Sequence, residues 1–156
     1  MNDRINKAAL KCGRDPENIH LVAVSKTIST NRVKEAIELG VTILGENYVQ
    51  EARDKFNLLG TYPVSWHFIG HLQTNKAKYA VRMFDLIHSV DSLKLAKALD
   101  KEARKNDKVQ AVLVQGIAVA MHRIQGPSEF PLEAGFEVLE LDIHRLEPVP
   151  GDVAAQ

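Results

Sequence analysis

The stretch Leu21-Val22-Ala23-Val24-Ser25-Lys26-Thr27 decides how this chain folds. Its apolar run is short, β-branched and flanked by polar residues, the pattern of a buried strand. Lys26 falls where the run stops, at the rim of a low-dielectric core. Burial disfavours the charged form of an amine, so the expectation is a Lys26 pKa below the usual value of about 10.4. A neutral amine can attack an aldehyde and form a Schiff base. The competing reading is a lysine that ends a strand and points to water, the usual fate of lysine.

Further strands follow at a regular spacing. Polar and glycine breaks delimit apolar runs near residues 20–25, 42–45, 65–69, 85–89 and 109–115. Helical patterns fill the intervals. Residues 1–12 form a first helix ending near Gly13, and Asp15-Pro16 marks a turn. Val33, Ala36, Ile37 and Gly40 lie at i, i+3, i+4 and i+7 behind Thr30, a candidate cap. Tyr48 to Leu59 is closed by Gly60, Thr74 or Asn75 caps a helix to Met83, and Asp91 or Ser92 caps a long helix. Strands alternating with helices imply a parallel sheet with right-handed crossovers. No Gly-x-Gly-x-x-Gly follows the first strand, which counts against a dinucleotide site in an open sheet. Lys26, Asn47, His71 and Ser89 each follow a strand, and in a parallel barrel those ends share one rim. The fold class is therefore α/β, a TIM-like parallel βα-barrel, incomplete with about five strands.

Composition narrows the function classes. With 156 residues, 45% of them hydrophobic, the chain is long enough for one domain with a real core. Its 20 basic and 20 acidic side chains cancel, so no electrostatic pull toward nucleic acid or an anionic membrane is expected. A single cysteine, Cys12, permits no intramolecular disulfide and fits a reducing cytoplasm; it is expected to be partly buried. No run approaches the apolar length of a transmembrane helix, and Met1-Asn2-Asp3-Arg4-Ile5 lacks the apolar stretch of a signal peptide. No feature of the sequence sets an oligomeric state. His67 and His71 lack the helical i, i+4 geometry of a zinc pair, so no metal is expected.

Four motifs carry a family resemblance. They are Leu21 to Thr27, Gly45-Glu46-Asn47-Tyr48-Val49-Gln50-Glu51, the run Trp66-His67-Phe68-Ile69-Gly70-His71-Leu72-Gln73-Thr74-Asn75-Lys76, and Ile87-His88-Ser89-Val90-Asp91-Ser92. In this order and at this spacing, residues 1–115 resemble the pyridoxal-phosphate homeostasis proteins, the YggS/PROSC-like family. Their fold is the barrel of the alanine racemase N-terminal domain. The resemblance implies a protein that binds pyridoxal 5′-phosphate for intracellular vitamin B6 homeostasis. It implies that Lys26 carries the cofactor as an internal aldimine, with Asn47, His67 and His71 around the cofactor mouth. On the residues alone, His67 reads as a hydrogen-bonded group rather than a catalytic base, because Trp66 and Phe68 pack on the opposite face. Asn47 could equally tie down its loop. Glu46 and Glu51 read as solvent-facing, and Lys76 and Lys78 as a solvated helix face.

Beyond Gly116 the resemblance ends. Pro127, Pro131, Pro148 and Pro150 interrupt a segment without clear periodicity, although Glu137 to Leu146 has room for a short helix or strand. Family members supply further strands there, with Ser-, Gly- and Thr-rich loops for the cofactor phosphate. Residues 116–156 read either as a frameshifted or truncated frame or as a genuine divergent tail that packs poorly. Each lost charge-assisted hydrogen bond would cost about 1.5–3 kcal/mol, so cofactor binding is expected to be weak. Three function classes stay open: a cofactor carrier without turnover, a racemase-like enzyme on the same barrel, and a non-functional fragment. Racemisation needs acid–base groups on both faces of its intermediate. Tyr48, Tyr62 and Tyr79 all sit in or before helices, which leaves the enzyme reading without a convincing tyrosine.

Overall fold

Five strands fall where the apolar runs place them, and all pair in parallel. The computed structural model describes residues 2–115 and a strand at 137–142. The strands are β1 (Ile19–Val24), β2 (Ile43–Glu46), β3 (Ser65–Phe68), β4 (Leu86–Val90), β5 (Ala111–Val114) and β6 (Glu137–Asp142). The helices are α1 (Asn2–Lys11), α2 (Thr30–Glu38), α3 (Val49–Leu59), α4 (Ala77–Met83) and α5 (Leu93–Lys105). The strand order is β5-β4-β3-β2-β1-β6. The strands β1 to β5 lie side by side in chain order, the sequential winding of a βα-barrel rather than a doubly wound sheet.

The sixth strand adds to the five expected. It pairs with β1 along its whole length, from Ile19 opposite Glu137 to Val24 opposite Asp142. Part of the segment expected to pack poorly thus forms a strand within the stretch Glu137 to Leu146. The rest of residues 116–156 lies outside the described residues.

Register sorts the side chains into two faces. Ala23 lies opposite Leu44, Leu44 opposite Trp66, and Phe68 opposite Ile87. These residues form one core with Val33 of α2, Ala52 and Leu59 of α3, Ala80 and Val81 of α4, and Leu95 and Leu99 of α5. Aromatic contacts knit it: Phe56 meets Trp66 edge-on at 5.6 Å, and Phe68 meets Phe84 at 5.1 Å. The other face is packed closely at Gly45. A Cβ there would meet Val22 Cγ1 at 2.8 Å and Ile69 Cδ1 at 3.0 Å, so only glycine fits.

Some local expectations shift. Ser29, not Thr30, precedes α2, and its hydroxyl makes no capping bond. Thr74 to Lys76 forms a 3-10 turn ahead of α4. Ser92 does cap α5, accepting the Leu95 N–H at 3.3 Å. Cys12 is exposed, not partly buried, because it lies in the turn after α1, beyond the face that buries Ala9.

Candidate functional site

The C-terminal ends of β1 to β4 are joined into one rim by hydrogen bonds and close approach. The Ser25 N–H donates to the Gly45 carbonyl at 2.9 Å, and the Ile69 N–H donates to the Glu46 carbonyl at 2.9 Å. Gly70 is pressed against Asn47 so tightly that a Cβ would lie 2.4 Å from the Asn47 carbonyl oxygen. The Ser89 hydroxyl donates to the Gly70 carbonyl at 2.5 Å. His71 Nδ1 stands 3.4 Å from Asp91 Oδ2, both side chains exposed. Lys26, Asn47 and His71 therefore occupy successive strand ends on one rim, as their positions in the sequence predict.

Lys26 is exposed. The burial expected to favour its neutral form is absent among the described residues, because the chain turns outward immediately after the buried Ser25. Its backbone is nonetheless constrained. Thr27 adopts a φ of 61°, a left-handed conformation that costs a threonine about 1–2 kcal/mol. The Thr27 hydroxyl donates to the Lys26 carbonyl at 2.7 Å.

Glu46 does not face solvent. It is fully buried beneath the rim, on the same face as Leu44 two residues earlier. Its Oε1 accepts from the Ser25 hydroxyl at 2.6 Å and from Lys55 Nζ at 2.8 Å. Its Oε2 is buried without a partner among the described residues. Burial pushes the Glu46 carboxyl above its usual pKa, and hydrogen bonds from Lys55 and Ser25 offset part of that rise. Glu51, also expected in solvent, turns inward and takes Lys55 Nζ at 2.8 Å. Lys55 belongs to none of the four motifs in the sequence. The Glu51–Lys55 spacing of i, i+4 on α3 is the signal that could have drawn attention to it.

His67 lies apart from the rim residues, within β3 and nearly buried. Its Nδ1 is 3.1 Å from Nε2 of His88 on β4. Burial first, and the neighbouring His88 second, bring its pKa down to about 4. It is therefore a neutral, hydrogen-bonded group at pH 7.

A cavity of about 500 Å³ opens beside the rim, lined among others by Asn47, Tyr48, Phe68, His71 and Lys76. It joins Asn47 to His71 but does not include Lys26 or His67 in its walls. Lys76 borders it and is half-buried, whereas Lys78 is exposed as expected. Asn47 Oδ1 is buried and has no partner among the described residues.

The chain is 43% identical over 118 residues to the pyridoxal phosphate homeostasis protein of Escherichia coli strain K12, covering 74% of this chain and 50% of that protein. It belongs to the pyridoxal phosphate homeostasis family. The protein of the same name from Pseudomonas aeruginosa is 46% identical over 99 residues, 64% of this chain and 43% of that one. Among solved structures, PipY of Synechococcus elongatus PCC7942 with PLP bound superposes with a TM-score of 0.60 at 38% identity. That match covers 69% of this chain and 51% of PipY. No family model matches the chain. The chain spans about half the length of the curated relatives it matches. Its architecture is accordingly that of an incomplete βα-barrel.

Proposed function

We propose that this chain binds pyridoxal 5′-phosphate through Lys26, as a cofactor-holding protein of vitamin B6 homeostasis without substrate turnover. The observation that carries the reading is the Lys26 amine, exposed at a strand end whose flanking backbone is tied to Lys55 and Glu51. The residues present suit the carbonyl end of the cofactor. An accessible amine can meet an aldehyde, and Asn47 Oδ1, without a partner among the described residues, can accept from a polar group of the ligand. Bound there, the cofactor would supply an electrophilic aldehyde conjugated to an electron-accepting ring.

The chain's own residues divide the work. Lys26 would hold the aldehyde carbon, Asn47 and His71 would border the ligand, and a neutral His67 would hold the sheet beneath through His88. The cavity between Asn47 and Lys76 offers a second polar boundary. Among the described residues no helix is long and apolar enough to cross a membrane. With one exposed cysteine and a balanced charge, the reading places the protein in the cytoplasm, acting on a small molecule rather than on nucleic acid.

Titration with pyridoxal phosphate tests this. The expected result is a saturable visible absorbance band that borohydride removes. A signal that rises without saturation would overturn the reading, since scattered surface lysines behave that way.

A further inference from the structure

Lys26 points outward, yet the backbone on both sides of it is gripped from beneath. Lys55, only 4% exposed, donates to the Ser25 carbonyl, to Glu46 Oε1 and to Glu51 Oε1. The Ser25 hydroxyl donates to the same Glu46 oxygen at 2.6 Å. On the far side, the Thr27 N–H donates to Glu51 Oε1 at 2.5 Å. One ammonium and two carboxylates, from β2 and α3, thus hold the residue before Lys26 and the residue after it.

The expense of this arrangement calls for a purpose. Burying an ion pair is often no better for stability than packing apolar side chains of similar size. The left-handed Thr27 adds local strain that surrounding contacts must over-determine. Both features converge on the turn that carries Lys26. Partners beneath a reactive group commonly fix its orientation without touching the ligand.

We propose that Lys55, Glu46 and Glu51 are positioning residues that clamp the Ser25–Thr27 turn and so set the direction in which Lys26 presents its amine to an aldehyde. The inference rests on reading Lys26 as the cofactor lysine. It assigns the clamp to the turn's geometry rather than to the sheet's stability.

Glu51 is the place to break it, since its side chain is 28% exposed and α3 can lose it without leaving a cavity. The full chain and its Glu51→Ala, Glu51→Gln and Lys55→Met variants are treated with pyridoxal phosphate, reduced with borohydride and mapped by peptide. The readout is the ratio of label on Lys26 to label on Lys105, together with hydrogen exchange at the Thr27 amide. In Glu51→Ala and Lys55→Met the ratio should fall about tenfold and Thr27 should exchange at least tenfold faster. Glu51→Gln keeps an acceptor for Thr27 and should restore most of the ratio. Circular dichroism identifies the folded variants, and either clamp-breaking variant decides alone if the other fails to fold. Selective Lys26 label that survives in a folded clamp-breaking variant overturns the clamp. Unchanged Thr27 exchange does so too. Label spread evenly in the unsubstituted chain instead overturns the Lys26 reading itself.

Discussion

His88 Nε2 lies 3.1 Å from His67 Nδ1, with the two rings 5.0 Å apart and tilted by 47°. One nitrogen must donate and the other accept, so the contact requires at least one neutral ring. Burial of His67 supplies that condition, since its pKa falls to about 4.

A pH dependence of stability follows from this pair. The folded pKa of His67 lies below its unfolded value of about 6.5, so the unfolded chain binds more protons between those limits. Stability from this group is complete above about pH 6.5 and is lost as pH falls toward 4. By pH 5 the loss is about 2 kcal/mol. Urea midpoints at pH 7.5 and pH 5 measure it. The His67→Gln variant should show a drop smaller by that amount, and equal drops in both proteins would contradict the burial of a neutral His67.

Lysine selectivity is the second expectation. Lys105 is exposed and tied to Glu102 at 2.6 Å, on the last turn of α5. Lys26→Ala should abolish the saturable visible band, whereas Lys105→Ala should leave it intact. Absorbance titrations of the two variants decide it, and a band that persists in Lys26→Ala would rule out Lys26 as the holding residue.

Periodicity explains how much of this molecule was legible in advance. β1 to β5 follow from short apolar runs and the inward face of α2 from the i, i+3, i+4 stripe, both local properties. The rim followed as well, since parallel strands put Lys26, Asn47 and His71 at equivalent ends. The exposure of Lys26 agrees with the competing reading, a lysine that ends its strand and points to water, whereas the turn at Thr27 was not legible, because a threonine rarely adopts a positive φ. The charge of Glu46 points to solvent, but its position does not. Its spacing of two from Leu44 puts it on the buried face, and the compensating Lys55 arrives from α3 only once the helix has packed. β6 falls in the stretch Glu137 to Leu146, which has room for a short helix or strand, but its pairing with β1, far away in the sequence, leaves no local signal.

Gly70 offers a third test. Any side chain there meets the backbone of Asn47, at 2.4 Å from the carbonyl oxygen and 2.7 Å from Cα. Backbone cannot rotate away as a flexible side chain can, so Gly70→Ala must shift the β2 or β3 strand end. The expected cost is about 1–3 kcal/mol, the usual range for overpacking a filled site. Chemical denaturation measures it. Cofactor affinity should fall in the same variant, because the displaced residue is Asn47. A Gly70→Ala protein of unaltered stability would mean that the strand ends are not in contact.

The last expectation concerns the sheet edge. β5 is an edge strand in the described sheet, paired only with β4. Val112 and Val114 on it are exposed, Val114 at 80%, and Val109 just before it at 96%. An apolar edge with unpaired backbone groups is a template for further strand pairing between molecules. The groove beside it, about 380 Å³, is lined by apolar residues such as Val90, Leu99 and Val112 together with Asp100, Arg104 and Lys108, and adds some apolar surface to the same region. Charge on an edge opposes such pairing, since a second chain would have to desolvate it. Val114→Lys should therefore lower self-association while leaving stability within about 0.5 kcal/mol, as for most exposed substitutions. Light scattering over a concentration series measures the first quantity and urea denaturation the second. Scattering that matches the unsubstituted chain at every concentration would show that this edge does not drive association.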